Sequence, residues 1–143
     1  MELLGQHRYQ LDAKGRIALP RKFAEAFGEG VYLTLGQDDC LWVFPKDEWD
    51  RRSEEIRRRP LSGQTARAYS RMFFGFAERM DLDGQGRLVI PQILRTQAGL
   101  AKEVVVLGVG ERLEIWEAAT WAREEQSLVG AYVAGTLRPE SEG

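Results

Sequence analysis

Apolar and polar residues alternate in His7–Leu11 (HRYQL) and again in Arg16–Pro20 (RIALP), which predicts two short strands. Between them lies Asp12-Ala13-Lys14-Gly15. Asp accepts backbone N–H groups and Gly takes positive φ, so this joint is predicted to be a tight turn and the two strands a hairpin. Pro20 ends the second strand and opens a short helix with Phe23 and Phe27 four apart and Gly28 as its stop. A second hairpin follows, VYLTL and CLWVF around GQDD. Pro45 then starts a longer helix with Asp47 and Glu48 in its first turn and Arg57, Arg58 and Arg59 in its last, the order that the helix dipole favours, and Pro60 ends it. LSGQ reads as a loop and TARAYSRMFFGF as another helix, with Ala66, Tyr69, Phe73 and Phe76 on one face.

The same outline is then written a second time. LDAKGRIALP (Leu11–Pro20) returns as LDGQGRLVIP (Leu82–Pro91), so that Asp12, Gly15, Arg16 and Pro20 match Asp83, Gly86, Arg87 and Pro91, each 71 positions later. With one inserted residue the spacing becomes 72 and carries Gly36 to Gly108, Leu41 to Leu113, Val43 to Ile115, Trp49 to Trp121 and Ile56 to Leu128. Pro91, Leu94, Ala98 and Gly99 repeat the short helix, and EVVVL and RLEIW around GVGE repeat the second hairpin. One ββαββ unit of about 40 residues buries too little apolar surface to stand alone, so the two units must complete each other. The expected fold is α+β, mainly β: a pseudo-dimer within one chain, with peripheral helices. Its divisions are repeat 1 at 5–47, a helical connector at 48–75, repeat 2 at 76–119, and a C-terminal helix with a flexible tail at 120–143 that frays from about Gly130.

Charge narrows the chemistry. The net charge is −2, so no general basic field marks a nucleic-acid partner and any such surface must be local. Cys40 is the only cysteine, which rules out an intramolecular disulfide and fits an apolar filler. MELLGQHRYQ has no apolar run of signal-peptide length, and no stretch approaches the ~20 apolar residues of a membrane span. A cytoplasmic protein is expected. His7 is the lone histidine, so a His/Cys metal site is not expected; no Gly-rich phosphate loop or nucleophile elbow appears, and no cofactor is expected. An enzyme using Asp12, Asp83, Arg16 and Arg87 would need a low-dielectric cleft, which exposed turns do not supply, and no small-molecule substrate is expected.

Two roles compete for the arginine of the turn. It can simply pair with its aspartate, or it can project from a loop that the aspartate shapes and offer its planar fork to phosphate or to the O6/N7 edge of guanine. The copies differ here. Arg8, Lys14, Arg21 and Lys22 surround Arg16, whereas the positions matching the last three are Gln85, Gln92 and Ile93. The positive field therefore belongs to the first unit, whose loop is expected to face DNA, while the second, with Arg87, is mainly structural. Arg51, Arg52, Arg57, Arg58 and Arg59 are interrupted by Glu54 and Glu55 and read as a solvated helix face. The helical spacing of Tyr69, Phe73 and Phe74 points to core or subunit contact rather than base stacking.

Asp-x-x-Gly-Arg-[Ile/Leu]-x-[Ile/Leu]-Pro before a short helix resembles the signature of the AbrB-type swapped-hairpin domain. Two such units in one chain, each followed by a Trp-bearing helix, resemble the MraZ family over roughly residues 3–130. The resemblance implies a swapped-hairpin barrel and a DNA-binding transcriptional regulator that forms a ring-shaped homo-oligomer and associates with the nucleoid. It also implies action on the promoter of its own gene, at the head of the division and cell-wall gene cluster. Asp12/Arg16 and Asp83/Arg87 match the family's DNA-contacting motif, with Gly15 and Gly86 shaping the loops. Head-to-tail copies would present the first loop in one sense, so G-containing direct repeats in double-stranded DNA are expected. The alternative within this fold is an antitoxin-type binding module.

Overall fold

The computed structural model describes residues 2–140. In chain order it contains β1 (Leu3–Gln10), β2 (Arg16–Ala18), a 3-10 helix (Arg21–Phe27), β3 (Val31–Leu35), β4 (Leu41–Pro45), α1 (Lys46–Arg57) and α2 (Gln64–Gly75). There follow β5 (Glu78–Met80), β6 (Arg87–Val89), α3 (Gln92–Gln97), β7 (Glu103–Gly110), β8 (Leu113–Glu117) and α4 (Ala118–Val133). Each half runs strand, strand, short helix, strand, strand, as the repeat predicts.

The first strand pair of each half is not the local hairpin expected. β1 runs antiparallel to β7 of the second half, from Leu3 opposite Gly110 to Gln10 opposite Glu103. β5 pairs with β3 of the first half, and β2 with β6. Only β3–β4 and β7–β8 pair with their neighbours in sequence. The reason lies in the short strands. β2 and β6 have three residues each before Pro20 and Pro91 remove an amide donor, so neither can hold a long ladder. Paired with each other they bury Ile17 directly opposite Leu88, at 1% and 0% exposure. The close crossing of β1 over β7 also needs Gly108, where a Cβ would stand 2.5 Å from the backbone nitrogen of Leu4.

The large sheet is antiparallel in the order β1-β7-β8-β4-β3-β5, and β2–β6 is a separate ribbon. The sheet is not closed into a barrel: β1 and β5 remain its edges. Ile17 opposite Leu88 and Trp42 opposite Glu114 each pair a residue with its own repeat counterpart, so the pseudo-two-fold passes through both points.

Two cores flank the sheet. On one face the ribbon and the short helices bring Ile17, Leu88, Ile90, Phe23 and Leu94 onto Leu33, Val43, Val104 and Ile115. On the other face Trp42, Phe44, Val105 and Trp116 lie under Ile56 of α1, Phe73 of α2 and Trp121 of α4. Here the indole N–H groups of Trp42 and Trp116 donate to the buried Glu114 carboxylate at 3.1 and 3.0 Å, and Arg112 Nη2 donates to it at 2.8 Å. Cys40 is fully buried, and burial followed by the Glu114 charge pushes its thiol pKa well up, as an inert filler requires.

The helices depart from expectation in two places. The first short helix is of the 3-10 type and Gly28 stays right-handed at φ −61°, whereas Gly99 after α3 takes φ +64°. α4 extends past Gly130 to Val133, and its i→i−4 ladder persists through Ala134 N–H to Gly130 O at 3.1 Å. The last three positions of the expected tail lie outside the described residues. Among the described residues no helix is long and apolar enough to cross a membrane.

Candidate nucleic-acid interface

The first loop is organised by one carboxylate. Asp12 Oδ1 accepts the backbone N–H groups of Lys14 and Arg16, both at 2.9 Å, and Oδ2 accepts Arg16 Nε at 2.7 Å. The backbone closes the turn through Asp12 N–H to Arg16 O and Gly15 N–H to Asp12 O, both at 3.0 Å, with Gly15 at φ +77°. The backbone N–H of Arg16 is the main reason that the Asp12 carboxyl is held down to about 2, with the guanidinium and the Lys14 N–H adding to it against some desolvation. Arg16 is only partly committed to the turn. Its Nε pairs with Asp12, while its terminal nitrogens have no protein acceptor among the described residues.

The second loop repeats this geometry. Asp83 Oδ1 accepts from the backbone of Gln85 and Arg87 at 2.9 Å, Oδ2 accepts Arg87 Nε at 2.8 Å, and Gly86 has φ +75°. The Arg87 N–H in the same way holds the Asp83 carboxyl below the usual range. The loops are tied together. Ile90 N–H donates to Gly15 O at 2.8 Å and Leu19 N–H to Gly86 O at 3.3 Å. Arg16 faces Val89 and Ala18 faces Arg87 across the ribbon, so with Ile17 and Leu88 turned inward both arginines stand on its outer side. That side looks away from α1, α2 and α4.

The remaining predicted cations are not all gathered there. Lys14 is exposed on the loop itself. Arg21 and Lys22 open the 3-10 helix; Lys22 Nζ sits 5.1 Å from the centre of the Phe23 ring and leans toward Gly5 of β1. Arg8 stands opposite Val105 and shares its face of β1 with Gln6, whose side chain bonds Trp121 and Glu125 of α4. It therefore projects from the helix-covered face of the sheet. Arg95 of α3, which sequence reasoning missed, packs its guanidinium on Gly15: a Cβ there would lie 2.7 Å from Arg95 Cζ. The only trace in sequence was an arginine whose repeat counterpart is Ala24.

Along α1 several of the arginines are paired instead. Arg51 bridges Glu48 and Glu55 at 2.9 Å, Arg52 meets Glu111 at 3.1 Å and Arg58 meets Glu54 at 3.4 Å. Phe73 is 3% exposed and stacks on Trp49 and Tyr69, as expected of core aromatics.

A family profile described as "MraZ protein, putative antitoxin-like" matches residues 3–72 and again residues 73–131. The protein named "Transcriptional regulator MraZ" in Carboxydothermus hydrogenoformans is 45% identical over 129 residues, 90% of each chain. Its namesakes in Saccharopolyspora erythraea and Heliobacterium modesticaldum are 46% identical over 118 residues (82% of each chain) and 38% identical over 129 (90% of each). Each profile match contains one Asp-x-x-Gly-Arg loop, and the relatives align along most of both repeats: the chain belongs to the MraZ family.

Proposed function

We propose that the protein is a sequence-specific DNA-binding transcriptional regulator, and not an enzyme, that reads double-stranded DNA with the Asp12–Arg16 loop. The observation that carries this reading is the state of Arg16. Asp12 fixes it through Nε and leaves the two terminal nitrogens to an outside acceptor, the arrangement suited to a guanine edge or a phosphate. Lys14 adds a backbone-seeking cation beside it. The relatives' name, transcriptional regulator, supports the same reading.

The finer parts rest on the family resemblance. The regulated DNA is the protein's own promoter and the division and cell-wall gene cluster behind it, and the protein works in the cytoplasm at the nucleoid. The exchanged first strands are the AbrB-like swapped hairpins. Copies form a closed ring and engage G-containing direct repeats spaced by roughly one helical turn, about 10 bp. The outer half of α4 supports assembly: Val129, Tyr132 and Val133 are 52%, 72% and 78% exposed, apolar surface that a neighbouring copy would cover. Arg16 makes the main base contact, Lys14, Arg21 and Lys22 contribute phosphate contacts, and Arg87 a lesser one.

The test is binding of the full chain to duplex carrying its own upstream sequence, with operator variants. Inverting one repeat, or inserting about half a helical turn between repeats, weakens binding on this reading. An operator bound best as a palindrome would overturn the direct-repeat arrangement, and a failure to prefer the upstream sequence over unrelated duplex would overturn the regulator.

A further inference from the structure

Gly15 is buried although its loop lies at the surface, and Arg95 is what covers it. A Cβ built on Gly15 would stand 2.7 Å from Cζ, 2.8 Å from Nη1 and 3.0 Å from Nε of Arg95. Arg95 comes from α3, in the repeat that does not own this loop. Its Nε is buried without a hydrogen-bond partner, and no carboxylate among the described residues pairs with it. The second loop has no such visitor: the counterpart of Arg95 is Ala24, and a Cβ on Gly86 would meet nothing within 4 Å.

Placing a guanidinium on a loop that already carries Lys14 and Arg16, and burying one of its donors unmatched, is unfavourable in the protein alone. The last turn of α3 offsets part of this through its carbonyl ends, but it does not satisfy the buried donor. An external anion would balance the whole group. We propose that Arg95 is part of the DNA site of the first loop. Reaching across the pseudo-two-fold, it takes a backbone phosphate beside the base edge met by Arg16, so the first DNA site is built from both repeats. The inference rests on the reading that this loop meets DNA. Under it, the second repeat serves binding chiefly through Arg95 rather than through its own loop.

A phosphate contact and a mere prop for Arg16 behave differently. The experiment compares parent, Arg95→Gln, Arg95→Met and Arg16→Ala, as full chains, on the upstream duplex and on an unrelated duplex of equal length, across a salt series and with thermal melts. Arg95→Met keeps an unbranched side chain of similar reach beside Gly15 without the charge or the unmatched donor, and serves if Arg95→Gln melts early. Neutralising Arg95 is expected to weaken both duplexes by roughly the same factor and to flatten the plot of log affinity against log salt by about 0.9 for each Arg95 engaged. Unchanged affinity and slope, with Arg16→Ala still losing the upstream duplex, would overturn the Arg95 site alone. Weakening confined to the upstream duplex, with the slope unchanged, would make Arg95 a prop and overturn it as well. Arg16→Ala binding both duplexes like the parent would overturn the reading of the loop and the Arg95 site with it.

Discussion

The two Asp-x-x-Gly-Arg loops have nearly one geometry and two environments. Each aspartate accepts two backbone N–H groups at 2.9 Å and holds its arginine by Nε, at 2.7 Å in the first loop and 2.8 Å in the second. What differs is the company: Lys14 and Arg95 at the first, Gln85 and open space at the second. The turn itself is therefore a structural device that both repeats retain, because each loop glycine also accepts an amide from the residue that follows the other repeat's ribbon strand. On the proposed reading, affinity for a polyanion belongs to the neighbours, and those differ between the two loops.

The largest effect expected to break or keep this distinction is on DNA binding. Arg16→Ala should abolish preference for the upstream duplex, since a bidentate guanidinium–guanine pair is worth about 1–3 kcal/mol per site and the loss multiplies over linked copies. Arg87→Ala should cost much less in the same titration. Equal losses would erase the difference between the loops, and a monomerised protein that binds as tightly as the assembly would remove the multiplication.

Next in size is stability. Gly15→Ala and Gly86→Ala both place a side chain at positive φ, at a cost of about 1–2 kcal/mol, but only Gly15→Ala must also displace Arg95. Denaturant titration should find Gly15→Ala the less stable of the two. Identical midpoints would mean that Arg95 yields freely.

A smaller effect appears in acid. The folded-state pKa of Asp12 lies below that of an unfolded aspartate, ~3.9, so its contribution to stability is complete above that value. The contribution declines as pH falls and is gone once pH passes about 2. Asp83 follows the same sign. Asp12→Asn should remove part of the stability loss between those limits, and a carboxyl titration placing Asp12 in the ordinary aspartate range would contradict the hydrogen-bonded loop. The smallest expected change is Gln85→Lys, which gives the second loop a Lys14 equivalent. It should tighten unrelated duplex slightly at low salt without altering sequence preference, and a shift in preferred sequence would show that the second loop already reads bases.

Much of this was legible beforehand because it is local. Turn residues with fixed φ, the alternation in VYLTL and CLWVF, and the prolines at 20, 45 and 91 act within a few residues of themselves. The misreadings share a different cause. Alternation assigns β1 one buried face but does not name the strand beside it, so the local pattern points to β2 where the structure pairs β1 with β7. For the same reason proximity in sequence groups Arg8 with the loop, whereas its register opposite Val105 turns it to the other face. Ile56 and Leu128 match in sequence, yet Ile56 is 9% exposed and Leu128 36%, because α2 packs beside α1 and no equivalent helix follows α4 among the described residues.

By itself the sequence determined the duplication, the two aspartate-anchored turns, the second hairpins and the excess of cations near Arg16, all of which follow from backbone preferences and spacing. Tertiary structure alone decided that the first strands cross between repeats, that the sheet stays open, and that Arg95 rests on the loop of the opposite repeat. These are choices among partners far apart in the chain. They are settled by which pairing buries Ile17 against Leu88 and covers both faces of one sheet, a quantity that no short window of sequence contains.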